Sequence, residues 1–204
     1  MNDALNINLI GLAEVRAGYP FRGAVPLVEH GSVRAVQMRD ITSAAGVDWS
    51  GCALTELESH KSSPDWIVSG DILFAPRGNR YYGVHVESVP GQAVCGQHLF
   101  HIRLRDTAQI LPAFLTWQIN QPPLQKLLFK MAEGSSQLSI RRSMLETLPL
   151  TVPALRVQES ILALARSADQ ERTIYTALIK SREKQLEALA NGLAQNLTPT
   201  SHKT

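Results

Sequence analysis

The segment Arg77-Gly78-Asn79-Arg80-Tyr81-Tyr82 gathers two guanidinium groups, an amide and two phenols. Guanidinium forks offer paired donors to phosphate oxygens or to the O6/N7 edge of guanine. Glycine inside the run marks a turn. A solvated hairpin turn has the same composition as a loop that approaches DNA. A second cluster, Ser135-Ser136-Gln137 followed by Arg141-Arg142, joins hydroxyls and an amide, suited to phosphate or adenine edges, to two more cations. Local chemistry leaves both readings open for each cluster.

Other chemically able residues lack the required pattern. His98 and His101 fall in a predicted strand at a spacing that sends them to opposite faces. No further ligand has zinc-site spacing, so both read as structural or surface histidines. Asp40 and Asp71 are not followed by the Glu-x-Lys pattern of a metal nuclease and read as turn or edge residues. Asn120-Gln121-Pro122-Pro123 superficially resembles the Asn-Pro-Pro-aromatic motif of adenine methyltransferases. That chemistry needs Asn directly before the prolines and an aromatic after them; here Gln121 intervenes and Leu124 follows. A helix-breaking kink is the simpler reading. The chain has no Gly-x-Ser-x-Gly elbow and no Gly-Lys-Ser/Thr phosphate loop. Its two cysteines, Cys52 and Cys95, are too few for a zinc site or a disulfide framework and read as free thiols in a reducing cytoplasm.

Apolar residues make up 44% of the 204 and charged residues 19%, enough for a core and against global disorder. No apolar run suits a membrane span, and the first residues lack a secretory pattern. Up to Pro153 there are 13 Lys+Arg against 13 Asp+Glu; beyond it there are 7 against 5, which accounts for the net +2. Nucleic-acid affinity must therefore come from local clusters.

The elements that would position these clusters are short. One helical turn is expected at Leu12-Ala13-Glu14-Val15, a strand over 32–41, and polar loop over 42–65. Asp71–Ala75 reads as a buried strand, 76–80 as a turn, and 81–88 as the returning hairpin arm. Residues 93–104 read as one further strand. Pro112 suits a first helical position. Leu124, Leu127, Leu128 and Met131 recur at helical spacing after Pro122-Pro123. A short helix over 140–147 and a last strand over 148–152 complete a unit spanning 1–153.

From Ala154 the pattern changes to one helix, expected to run to about residue 196 before a disordered tail over 197–204. Ile161, Ala165, Ala168, Arg172, Tyr175, Ile179, Arg182, Leu186, Leu189 and Leu193 recur in steps of three and four. That is a coiled-coil seam interrupted by two arginines, which act as ionic pins or mark where the seam drifts outward. About 40 residues of helix span about 60 Å, so the stripe calls for another helix.

Several phrases appear in a telling order: Gly18-Tyr19-Pro20-Phe21-Arg22-Gly23, Val36-Gln37-Met38-Arg39-Asp40-Ile41, Gly70–Gly78, Leu111–Leu115, Asn120-Gln121-Pro122, Gly134-Ser135-Ser136-Gln137, Leu148–Pro153 and Gln158-Glu159. Over about residues 8–195 the series resembles the target-recognition module and following helix of type I restriction-modification specificity subunits. The resemblance implies an α/β (α+β) recognition domain with a twisted mixed sheet and short helices, followed by one long coiled-coil helix. Usual members carry two recognition domains and two helices. This sequence shows one of each, so a homodimer paired through Ile161, Ala168, Tyr175, Ile179, Leu186, Leu189 and Leu193 is expected, and the dimer would read two inverted half-sites.

The same resemblance implies no catalysis and no cofactor or metal in this chain. S-adenosylmethionine would sit on a DNA adenine methyltransferase (modification) subunit, and ATP with Mg on a restriction subunit. The alternatives are a specificity factor of another phage-defence methylation system, an active adenine methyltransferase fragment, or an interaction protein that has lost DNA binding. The expected DNA contacts are Arg77, Asn79, Arg80, Tyr81, Ser136, Gln137 and Arg141. Arg22 and Arg39 are assigned phosphate or structural contacts.

Overall fold

The computed structural model describes residues 5–57, 64–134 and 138–195. In chain order the elements are β1 (Leu5–Asn8), α1 (Leu9–Leu12), β2 (Ala13–Ala17), β3 (Val33–Val36), β4 (Ile41–Thr42), β5 (Gly46–Val47) and β6 (Ala53–Thr55). There follow β7 (Ile72–Ala75), β8 (Tyr82–His85), β9 (Ala93–Cys95), β10 (Phe100–Leu104), α2 (Pro112–Ile119), α3 (Pro122–Met131), α4 (Arg142–Glu146), β11 (Pro149–Val152) and α5 (Leu155–Gln195).

The architecture is α+β with short helices and a long C-terminal helix. The strands divide among several sheets instead of one. An antiparallel sheet has the order β2-β10-β7-β8, and a mixed sheet has the order β6-β3-β9, with β3 antiparallel to β6 and parallel to β9. Two small pairs, β1-β11 and β4-β5, are antiparallel.

All four residues of β7 are buried, which explains its unbroken apolar run. On one face Leu73 and Ala75 join Val36, Cys95, Ala93 and Leu99 in a core between the sheets. On the other, α2 packs over β8. Gly83 makes that approach possible: a Cβ there would lie 3.3 Å from Ile72, 3.7 Å from Thr116 and 3.8 Å from Ile119. Asn120, at the end of α2, then accepts from the Gly83 N–H and donates to the Gly83 carbonyl, both at 2.9 Å. Its amide is consumed in tying the helix to the strand, which gives Asn120 a structural role in place of the methyltransferase-like one. Both Pro112 and Pro122 stand at first helical positions, where a missing N–H costs nothing.

Four local expectations are corrected. Residues 13–15 are strand, with the helical turn one step earlier at Leu9–Leu12. The strand expected over 32–41 stops at Val36, because Asp40 accepts from the Gln37 N–H (2.8 Å) and closes a 3-10 turn over Met38–Asp40. The supposed loop over 42–65 contains β5 and β6. The strand expected over 93–104 is two strands in different sheets, separated by the turn at Gly96, whose N–H bonds the Val36 carbonyl.

The chain divides into two compact units after Glu159, inside α5. The first turn of α5 belongs to the first unit because Gln158 is fully buried there. Its oxygen accepts from the Leu111 N–H (2.9 Å), and its amide donates to the carbonyls of Gln109 (2.9 Å) and Pro153 (2.7 Å). The second unit is the remainder of α5, an element of 41 residues, about 60 Å long. It passes through Gly192 without a break. Tyr175, Ile179, Leu186, Leu189 and Leu193 of the expected seam are exposed, as are Leu164, Ile174 and Leu178 beside it; Ala168 is exposed and Ile161 half-buried. Among the described residues, no helix is long and apolar enough to cross a membrane.

Candidate nucleic-acid interface

The β7–β8 hairpin presents Arg77, Asn79 and Arg80 at its turn. Gly78 supplies the left-handed backbone the turn needs (φ 105°). Asn79 and Arg80 are exposed and Arg77 is half-buried. Tyr81 does not join them. It is 1% exposed, its ring tilts against Phe129 with centroids 5.1 Å apart, and its carbonyl accepts from Gln125 at 2.5 Å. The expectation that Tyr81 touches DNA is therefore corrected: alternation along the arm sends this phenol inward. Tyr82 is likewise structural, its hydroxyl donating to the Ile41 carbonyl at 2.9 Å.

The turn at 77–80 meets the segment at 139–140, which leads into Arg141 and Arg142 of the second cluster. Ile140 N–H donates to the Pro76 carbonyl (2.9 Å), and Arg77 forms an antiparallel bridge with Ser139. Ser139 also exchanges two backbone hydrogen bonds with Glu133, at 2.9 and 3.1 Å. The segment between them holds Ser135, Ser136 and Gln137, which lie outside the described residues. Arg141 stands exposed at the cap of α4 and pairs with Glu133 at 3.0 Å; Arg142 pairs with Glu146 at 3.4 Å. Exposed pairs of this kind contribute little and yield readily to a polyanion.

Helix α3 adds residues the sequence reading missed. Its Leu124, Leu127, Leu128 row faces inward, and the opposite face exposes Lys126, Phe129 and Lys130. The signal was the complement of the apolar spacing: two lysines four residues apart around a phenylalanine. Arg77, Arg80, Lys126 and Lys130 have no carboxylate partner among the described residues.

Arg22 and Arg39 are not part of this surface grouping. Both are exposed; Arg39 is 3.5 Å from Asp40 and borders a separate cleft with Gly23, Val25, Gln37 and His98.

Behind the hairpin lies a buried charge cluster. Asp71, 1% exposed, accepts from Arg103 Nε (2.8 Å) and a second Arg103 nitrogen (2.7 Å), from His101 Nε2 (2.7 Å) and from Val68 N–H (2.7 Å). Burial alone would raise this carboxyl, but the bonds from Arg103 and His101 outweigh it and hold it at about 2. His101 Nδ1 is buried without a partner. The cluster fixes β7 to β10 at the end of the β7–β8 hairpin away from its turn. Cys52 and Cys95 are free and buried, and burial pushes the Cys52 thiol up to about 12, which favours its protonated form near neutral pH. Among the described residues no group of three or more His, Cys, Asp or Glu is placed to hold a metal.

No family model matches the sequence, and no curated protein matches it. Solved structures do. The S subunit of a type I restriction-modification system from M. genitalium is similar over 94% of this chain and 46% of its own, with a TM-score of 0.53 at 14% identity. A chain from a structure describing assembly and conformational transition of the type I R-M system gives a TM-score of 0.61 at 17% identity, over 95% of this chain and 44% of that one. The HsdS subunit from Thermoanaerobacter tengcongensis gives 0.58 at 17% identity, over 82% and 38%. This chain spans less than half the length of each. Its α+β unit and long terminal helix have the fold of just under half of a type I restriction-modification S subunit.

Proposed function

We propose that the chain is a sequence-reading subunit of a type I restriction-modification system. In this role it selects double-stranded DNA and positions a separate adenine methyltransferase subunit, and with it a restriction subunit, in the cytoplasm. It contributes no catalytic group; S-adenosylmethionine and ATP with Mg belong to those partners. The observation that carries this reading is the joining of Arg77, Asn79 and Arg80 to the 138–142 segment by Ile140 N–H and the Arg77–Ser139 bridge, on a fold shared with S subunits. Two short loop-borne segments held on a sheet suit a surface that presents side chains to a target.

A homodimer through α5 completes the reading. Its support is the exposed seam: Leu186 and Leu189 are 67% and 66% exposed on a helix with no core of its own, and helices of this length owe their stability mainly to packing of an apolar face. Two copies related by a two-fold axis would read inverted half-sites. Selection of random oligonucleotides by the chain together with its methyltransferase partner tests this: an enriched inverted repeat supports it, and an unenriched pool overturns it.

A further inference from the structure

Beside the reading turn lies a pocket of about 260 Å³ lined by Arg80, Asn120, Pro122, Gln125, Lys126 and Phe129. Gln125 is the informative residue. Its amide nitrogen donates to two backbone carbonyls, Tyr81 at 2.5 Å and Ile119 at 2.8 Å. Both partners are acceptors, so the orientation of the amide is fixed by its bonding. The oxygen Oε1 is thereby turned away from them, and it is buried without a partner. A buried acceptor left unpaired carries a desolvation cost that a donor would relieve. The Asn120 amide cannot be that donor, since both its ends are engaged by Gly83.

The walls limit what can supply the donor. Pro122 and Phe129 are apolar, and Gln125 Oε1 is a buried acceptor without a partner beside them. Phe129 is 48% exposed although its other neighbour is the buried Tyr81 ring. The pocket mouth carries two cations, Arg80 and Lys126, without carboxylate partners among the described residues. A donor borne on a flat apolar ring, with an anion attached, matches all three features. A nucleotide whose base carries an exocyclic amine has that chemistry.

We propose that this pocket takes one unstacked, amine-bearing nucleobase of a DNA strand, its amine donating to Gln125 Oε1, its face against Phe129 and its phosphate between Arg80 and Lys126. Gln125 and Phe129 are four residues apart on α3, so they neighbour each other along the helix and both line the pocket. The proposal deepens the recognition reading, on which it rests for the source of the base.

The test is nuclear magnetic resonance of the whole isotope-labelled chain, titrated with dAMP, dCMP, dTMP, inorganic phosphate and the dAMP analogue lacking the 6-amino group. The expected result is that dAMP or dCMP at millimolar concentration shifts the Gln125 side-chain amide signals. The amine-free analogue and dTMP should bind about tenfold more weakly or worse, the loss of one hydrogen bond to a buried acceptor. Phe129→Ala should weaken dAMP binding by a similar factor. Equal binding of the amine-free analogue, equal shifts with phosphate alone, or no shift with any nucleotide overturns the proposal. Selective duplex binding by the same protein separates the two readings. If it persists without any nucleotide effect, the pocket assignment fails and recognition stands; nucleotide binding without it keeps the pocket and removes recognition.

Discussion

Ile140 N–H donates to the carbonyl of Pro76 at 2.9 Å, which joins the start of the Arg77–Arg80 turn to the strand-like segment leading into α4. The two residues are 64 positions apart in sequence. A backbone bond holds them without constraining any side chain, so side chains on both segments can change while their spacing does not.

Arg77→Ala and Arg80→Ala should each weaken DNA binding while circular dichroism and melting stay as in the parent, since neither residue supports the core. A cation that grips a guanine edge contributes about 1–3 kcal/mol of discrimination. One that grips phosphate lowers the salt slope of binding by about 1 and leaves preference unchanged. Anisotropy titrations at several salt concentrations distinguish the two.

The Asp71 cluster predicts acid sensitivity. The folded carboxyl sits at about 2, below its ordinary 3.8. Its contribution, on the order of 2 kcal/mol, is present in full above about pH 5 and disappears as pH falls from there through about 2. Asp71→Asn should destabilise by about 3 kcal/mol at neutral pH by leaving Arg103 and His101 without their anion. It should also flatten the dependence of denaturation midpoint on pH across that window.

Gln158→Ala removes three hydrogen bonds at the root of α5 and leaves the Leu111 N–H and two carbonyls unpaired. A loss of about 2–4 kcal/mol is expected in urea unfolding. Gln158→Glu, which keeps the acceptor for Leu111 but replaces the donor, should recover little, because the Gln109 and Pro153 carbonyls then face a carboxylate.

Leu186→Asp with Leu189→Asp should split the proposed α5 dimer. Each leucine buries enough apolar surface in a helix pair to contribute about 1.5–3 kcal/mol. Light scattering at micromolar concentration should report two chains for the parent and one for the double variant. A single-chain mass for both contradicts the pairing.

Elements with strong local signals were legible from residues alone: the apolar run of β7, prolines at two helix starts, and the long unbroken course of α5. What escaped has a physical cause in each case. β6 is three residues long, too short for alternation to show. The β9–β10 division depends on Gly96 meeting Val36, a contact between sheets. The Asp71–His101–Arg103 cluster is assembled by antiparallel pairing of β7 with β10, in which His101 faces Leu73; no spacing within the chain announces it. Chemistry placed Arg77, Asn79 and Arg80 on an accessible turn correctly. It misplaced Tyr81, because composition carries no direction, and passed over Lys126, Phe129 and Lys130, because the helix was read for its buried face.

The most direct measurement of the recognition role is a map of methylated adenines in host DNA with and without this chain. A bipartite inverted repeat methylated only when the chain is present is the predicted result, and Arg77→Ala should reduce its methylation. A methylation pattern that is identical with and without the chain would contradict the assignment.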